Sequence, residues 1–276
     1  MAKVKSWREG AAGEPKFAPD FEIVKKAVLQ VTDIKTNRNK YYAIELHKAK
    51  GKSSHDYRVY THYGRTDDLE SNPNAGTRES RYHLSLGEAQ ANYESIYSQK
   101  TSKRKGYKEV DLASSSIGSH KARGTSSGHV DDATIQKIEE GKSGKKKAPK
   151  KKSAPKPSTL PKPIQDLVTY LYDEATTALT TTVQAKITAN GIETPLGVLT
   201  IGQVEKGDKV IEQAWKVFKT YEKSSGAKKT KLHDDLTDLS GEFYTFIPHR
   251  IGRSRSAAQQ SVIDTLAEFQ AKMETL

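Results

Sequence analysis

The sequence predicts an α+β domain, a small antiparallel sheet with one packed helix, followed by a Lys-rich linker and an all-α domain. Three observations predict this. β-Branched and aromatic residues alternate in short runs between Ala27 and Tyr63, the composition turns to Ser, Gly, Lys and Pro between Ala113 and Ser158, and apolar residues recur at helical spacing beyond that point. At 276 residues and a mean hydropathy of −0.77, the chain can bury two small cores rather than one large one. The expected organisation is a basic flexible tail over residues 1–22, a sheet domain over 23–112, a disordered linker over 113–158 and a helical domain over 159–276.

The tail, Met1 to Asp20, has no apolar run of signal-peptide or anchor length, so a chain free of membrane and secretory segments is expected. Strands are predicted over Ala27 to Ile34, over Tyr41 to His47, and over Asp56 to Tyr63, where Tyr57, Val59, Thr61 and Tyr63 share one face. Successive short strands imply antiparallel pairing; Tyr41 and Tyr42 are expected in the core and His62 on the surface. Ser85 followed by Glu88 forms a capping box that opens a helix with Ala89, Tyr93, Ile96 and Tyr97 on one face.

The linker's second half, Lys142 to Lys156, carries eight Lys and no acid, and self-repulsion favours an extended chain there. Lys145, Lys146, Lys147, Lys150, Lys151 and Lys152 read as a non-specific DNA tail, a nuclear import signal, or a solubilising spacer. In the helical domain, Ile164, Leu167, Val168, Leu171, Tyr172 and Ala175 mark a first helix, with Pro161 and Pro163 at its start. Thr200 with Gln203 caps a second, whose stripe is Val204, Ile211, Trp215 and Phe218; Leu232, Leu236, Leu239 and Phe243 mark a third, ending near Pro248. Ser256 with Gln259 is expected to cap a last helix, with Val262, Leu266, Phe269, Met273 and Leu276 inward. The result is a helical bundle with no strand after the linker.

Lys and Arg outnumber Asp and Glu by 46 to 34, a formal charge of +12 and a pI near 9.5, which favours a polyanionic partner. The chain has no Cys, which excludes disulfides and thiolate zinc sites, and its eight His lack metal-ligand spacing, so no metal site is expected.

Several motifs carry a family resemblance. Leu160-Pro161-Lys162-Pro163-Ile164-Gln165-Asp166-Leu167, Pro195-Leu196-Gly197 with Leu199-Thr200, and Leu239-Ser240 through Phe243-Tyr244-Thr245-Phe246-Ile247-Pro248-His249 resemble ordered signatures of the poly(ADP-ribose) polymerase regulatory domain. Asn37-Arg38-Asn39-Lys40-Tyr41-Tyr42, Tyr63-Gly64-Arg65 and Lys100-Thr101 resemble the WGR domain of the same family, with Tyr63 where the family has Trp and a shortened segment after Thr101. The resemblance covers about two thirds of the chain, leaving out the tail and the linker. It implies a regulatory domain that stops after its penultimate helix and a chain without the transferase fold and its His, Tyr, Glu constellation. No catalytic residue and no cofactor are then expected, NAD entering only if a transferase domain is supplied separately. Val210 and Ile211 fall where the family's regulatory helix loosens when DNA binds, and Gly202 and Gly207 either weaken that helix or let another element pack closely on it.

The residues suggest phosphate and sugar recognition. Arg65 offers a planar fork for a phosphate or a partner carboxylate, Asn37 and Asn39 supply amide donors beside a turn, Lys40 adds a point charge, and Tyr63 next to Gly64 can lay its ring on a ribose or terminal base. Asn37 and Asn39 read equally well as turn residues, and Arg65 divides between DNA contact and domain communication. The resemblance implies DNA as the partner, above all a broken or 5′-phosphorylated end, together with a full-length polymerase or separate transferase domain. The expected location is the nucleus in a eukaryote, or the cytoplasm and nucleoid in a bacterium. Three function classes follow: a non-catalytic DNA-strand-break-binding regulatory module in the DNA damage response, a fragment or split subunit of an NAD-dependent ADP-ribosyltransferase, and a general basic nucleic-acid or chromatin-binding protein.

Overall fold

Alternating side chains along the early strands give the sheet two buried faces. The computed structural model describes residues 4–128, 130, 134, 186–188 and 191–275. Strands β1 (Trp7–Arg8), β2 (Phe21–Asp33), β3 (Arg38–Ala49), β4 (Tyr57–Arg65), β5 (Thr77–His83) and β6 (Lys108–Glu109) form one antiparallel sheet in the order β1-β5-β4-β3-β2-β6. Between β4 and β5 lies the short helix α1 (Asp68–Ser71). Leu29, Tyr42, Ile44, Leu46 and Val59 face helix α2 (Leu86–Thr101), which contributes Ala89 and Tyr93 to that core. The Ser85 half of the expected capping box is formed, Glu88 N donating to Ser85 Oγ at 3.3 Å.

The opposite face does not reach solvent. Val28, Ile34, Tyr41 and Ala43 enter a second core with residues from the helices beyond position 200. His62, expected on the surface, is fully buried on this face: its ring meets Tyr41 Oη at 3.0 Å and Ala75 O at 2.8 Å, and burial pushes its pKa down to about 4. It is inward because alternation from Tyr63, which faces α2, turns residue 62 to the other side.

The linker expected from Ala113 onward is packed structure over its first part. Strand β7 (Leu112–Ser115) starts it, and Ile117, Ser119 and Ala122 are buried against the sheet. Ser119 donates through its backbone N and its Oγ to the Glu45 carboxylate at 2.7 and 2.5 Å, and Gly118 N meets His62 Nδ1 at 3.1 Å. Small polar residues suit this role because buried Glu45 and His62 need close hydrogen-bond partners. The Lys run at 142–156 and the helix expected from Ile164 lie outside the described residues.

Strands also appear where only helices were expected. β8 (Lys186–Thr188), β9 (Gly191–Thr194) and β10 (Gly197–Leu199) join β7 in a second sheet ordered β7-β10-β9-β8. Gly197 makes it possible: its φ is +134°, and a Cβ there would stand 2.0 Å from Ser114 O.

Helix α3 (Ile201–Tyr221) begins at the Thr200 cap, with Gln203 N donating to Thr200 Oγ1 at 3.2 Å, and α4 (Gly226–Phe246) runs back along it. Ile211, Ala214 and Phe218 pack with Leu236, Phe243 and Phe269. The last helix differs from the expected one. It is two helices, α5 (Arg255–Gln259), capped by Ser254 rather than Ser256, and α6 (Leu266–Thr275). The chain breaks between them because Ser240 Oγ captures Ile263 N at 2.9 Å and Thr265 and Glu268 form a reciprocal cap. The break rotates Leu266 and Met273 outward, 48% and 47% exposed, and leaves Val262 and Phe269 inside; Leu276 lies outside the described residues.

Sheet and helices meet directly. Thr32 N donates to Thr245 Oγ1 at 2.9 Å, Thr32 Oγ1 donates to Tyr244 O at 3.2 Å, and a Cβ on Gly241 would stand 3.1 Å from Thr32 O. Gly207 serves the same end within the helices, since a Cβ there would meet Ile247 Cγ1 at 2.5 Å.

Candidate nucleic-acid interface

The first end of β3, the last end of β4 and the chain following α2 enclose a cleft of about 730 Å³. Besides Arg65, its cations are Arg38, Lys40, Lys100, Arg104 and Lys105, and its aromatic floor is Tyr42, Tyr63 and Tyr107. Alternation along β3 places Arg38, Lys40 and Tyr42 on the α2 side. The Tyr42 and Tyr63 rings stack at 5.2 Å and 12°, and Lys100 Nζ lies 3.9 Å above the Tyr42 ring. Burial, reinforced by Lys105, Arg81 and Lys40, pulls the Lys100 ammonium down to about 8. Tyr63 Oη donates to Glu79 Oε1 at 3.0 Å, and burial with that carboxylate pushes the phenol up to about 12, so the ring is held as a neutral platform.

Gly64 separates Tyr63 from Arg65 for a steric reason. A Cβ there would stand 3.0 Å from Tyr41 Oη and 3.1 Å from Gly76 Cα, so any larger residue would push the following loop away.

Arg65 lines the cleft yet is almost wholly committed elsewhere. Nη1 donates to Asn37 O at 2.9 Å, Nη2 donates to Asn37 Oδ1 at 2.7 Å and to Gly252 O at 2.5 Å, and Nε pairs with Asp67 Oδ2 at 2.8 Å. Asp67 in turn accepts from Ile251 N and Gly252 N at 2.8 and 2.7 Å. Of the two roles open to Arg65 in the sequence, the one visible is the bridge from the sheet to the helical region.

The two Asn residues are not surface donors. Asn37 holds a left-handed turn at φ 51° and spends Nδ2 on Arg253 O at 2.8 Å. Asn39 is fully buried, accepting from Gln30 and donating to Asp67 Oδ2 and His249 O at 3.0 and 2.8 Å. Alternation turns it away from Lys40, toward the helices. The structure thus brings Lys40, Tyr63 and Arg65 to one cleft and withdraws Asn37 and Asn39 into the domain junction. Sequence reasoning missed Arg38, Arg104 and Lys105 as members; Arg38 could have been found from its same-face spacing with Lys40, whereas the loop residues give no periodic signal.

Among the described residues no helix is long and apolar enough to cross a membrane, and no His, Asp and Glu cluster could hold a metal ion. Residues 25–113 match the WGR domain model, and residues 158–276 match the model of the poly(ADP-ribose) polymerase regulatory domain. An 85-residue stretch is 33% identical to poly [ADP-ribose] polymerase 2 of Arabidopsis thaliana, covering 31% of this chain and 12% of the length of that relative. The two models, met in this order along one chain, identify it as a member of the poly(ADP-ribose) polymerase family, a WGR domain followed by a regulatory domain.

Proposed function

We propose that the chain binds DNA strand breaks through the cleft floored by Tyr42 and Tyr63, and acts as a non-catalytic regulatory module in the DNA damage response. The observation that carries this reading is the joining, in one concavity, of a stacked aromatic floor, cations without an ion-pair partner among the described residues, and an arginine that also grips the helical region. A strand end offers a ring face for stacking and a terminal phosphate for cations, both of which an intact duplex keeps covered or spread out. Lys40 and Lys100 supply the phosphate contacts, Tyr63 the stacking surface, and Arg65 the link between occupancy of the cleft and the seating of Gly252. The Lys run at 142–156 adds attraction for any phosphate backbone without reading ends. Partners in this reading are 5′-phosphorylated DNA and a full-length polymerase or separate transferase, in the nucleus of a eukaryote. Neither matched domain is a transferase, so the pure chain is expected not to incorporate labelled ADP-ribose from NAD.

The test is a fluorescence-anisotropy titration with nicked, blunt linear and closed circular DNA, with and without a 5′-phosphate. A preference of at least about tenfold for broken DNA, corresponding to about 1.4 kcal/mol, is expected. Equal affinity for linear and circular DNA would replace this reading with that of a general basic nucleic-acid binder.

A further inference from the structure

On the sheet face opposite α2, a second concavity of about 510 Å³ lies between β4, β5, the segment 116–123 and the chain before β2. Three guanidiniums line it: Arg58 from β4, Arg78 from β5 and Arg123 from the segment that crosses the sheet. We propose that it is a binding site for the phosphoryl or pyrophosphoryl group of a small phosphorylated ligand, separate from the DNA cleft.

The argument rests on how the three charges are held and on how little answers them. The Arg58 guanidinium lies 4.5 Å from the Phe17 ring, 5.1 Å from Phe21 and 5.4 Å from Tyr60, and it donates to His47 Nδ1 at 3.0 and 3.2 Å. His47 Nε2 in turn meets Glu45 Oε2 at 2.7 Å, and the Glu45 carboxylate is taken up by Ser119 as well. Arg58 is therefore fixed by rings and by a neutral imidazole that accepts at Nδ1, with no carboxylate partner among the described residues. Arg123 gives Nη1 to Asn74 Oδ1 at 2.8 Å, while its buried Nε has no partner among the described residues. Among the described residues Arg78, with a side chain 19% exposed, finds as its ion-pair partner only Glu9, 64% exposed and 3.9 Å away. Three part-buried cations beside the loose Glu9 carboxylate, with Glu45 already bonded to His47 and Ser119, repel one another, and that arrangement becomes favourable when a multiply charged anion enters. Guanidinium forks match the oxygens of a phosphoryl group, and the apolar wall of Ala18, Pro19 and Phe17 leaves room for an organic body. Strand alternation separates this pocket from the DNA cleft, since Arg58 and Arg78 point away from the side on which Tyr63 and Tyr42 lie.

The test is isothermal titration of the full chain with inorganic pyrophosphate, adenosine 5′-diphosphate, adenosine and sulfate, with a 5′-phosphorylated duplex as the DNA arm. Saturable binding of pyrophosphate and the diphosphate, but not of adenosine, is expected. Arg78→Gln and Arg123→Gln should each weaken it by at least about tenfold with unchanged circular dichroism and unchanged DNA affinity. Lys40→Gln and Lys100→Gln should do the reverse. Wild-type amides at 117–124 should exchange more slowly with pyrophosphate present, a readout that does not depend on the variants folding. The proposal is overturned if the wild type shows no saturable binding up to about 1 mM pyrophosphate, if adenosine binds as well as its diphosphate, or if sulfate binds as tightly as pyrophosphate. It is also overturned if the Arg78→Gln, Arg123→Gln double variant binds normally, if only the cleft variants lose binding, or if those amides gain no protection.

Discussion

Asp67→Asn should be among the most damaging single-atom changes at the junction. The Asp67 side chain is 2% exposed and accepts four contacts: Ile251 N and Gly252 N on Oδ1, Asn39 Nδ2 and Arg65 Nε on Oδ2. An amide retains one acceptor oxygen, and either orientation turns its NH₂ toward two donors, so flipping cannot relieve the conflict. The substitution also removes the negative charge that answers Arg65. Breaking a buried ion pair by neutralising one partner costs about 3–5 kcal/mol. For a folded unit of this size, 1 kcal/mol shifts Tm by about 2–4 °C, so a fall of about 6–20 °C is expected. Differential scanning calorimetry, with hydrogen exchange at Ile251 and Gly252, measures it. Asp68→Asn is the control, because among the described residues the Asp68 carboxylate pairs only with Arg253, whose side chain is 75% exposed, and the loss there should stay under about 1 kcal/mol. If Asp67→Asn melts within about 2 °C of wild type, or no lower than Asp68→Asn, the junction does not depend on this carboxylate and the reasoning fails.

Gly207→Ala should destabilise by about 1–3 kcal/mol although Ala is the better helix former, because its Cβ would collide with Ile247; urea denaturation showing a gain would refute the packing role. Tyr63→Ala should weaken binding to 5′-phosphorylated breaks by about 1–3 kcal/mol and leave circular DNA nearly unaffected, with Tyr63→Trp restoring the loss, as read by anisotropy. Lys100 gives two trends of opposite sign. A phosphate favours its charged form, so break affinity should fall as pH rises through about 8, whereas the free protein, whose Lys100 is depressed below its unfolded value, should gain stability between about pH 8 and about pH 10.4. Lys100→Gln should reduce both slopes, and slopes unchanged in that variant would remove Lys100 from the cleft's electrostatics.

Periodicity and capping carried much of the fold. Ser85 with Glu88 and Thr200 with Gln203 locate two helix starts correctly, because a cap is a local bond between residues three apart. What escaped were features decided by distant partners. Composition marks 113–128 as spacer, yet Ser119 and Gly118 are drawn into the fold by Glu45 and His62, more than 50 residues earlier. Ser256 and Gln259 have the spacing of a capping box, but Ser254 takes the cap and Ser240, on another helix, ends the run by binding Ile263 N. The strands at 186–199 went unread for a related reason: they are three or four residues long and depend on β7, on the far side of the Lys run.

The site divides along the same line. Lys40 and Tyr63 occupy the cleft because strand alternation, a local rule, puts them there, while Asn39 is lost to the junction because His249 and Asp67 hold its amide. Arg65 belongs to both classes. Its position beside Tyr63 is written in three consecutive residues, but the Gly252 carbonyl that fills its fork is 187 residues away. With both donors of Nη2 and one of Nη1 hydrogen-bonded and Nε held in an ion pair with Asp67, Arg65 can give a full Nη1–Nη2 fork to a phosphate only by releasing Asn37 or Gly252. Any free energy gained in the cleft through this residue is then drawn from the contact that seats the helical region, and linkage makes the effect reciprocal: whatever tightens the Gly252 contact weakens Arg65 as a phosphate ligand. On the proposed reading, Lys40, Lys100 and Tyr63 break no bond to the helical region when they bind, so affinity would reside in them while Arg65 would transmit occupancy.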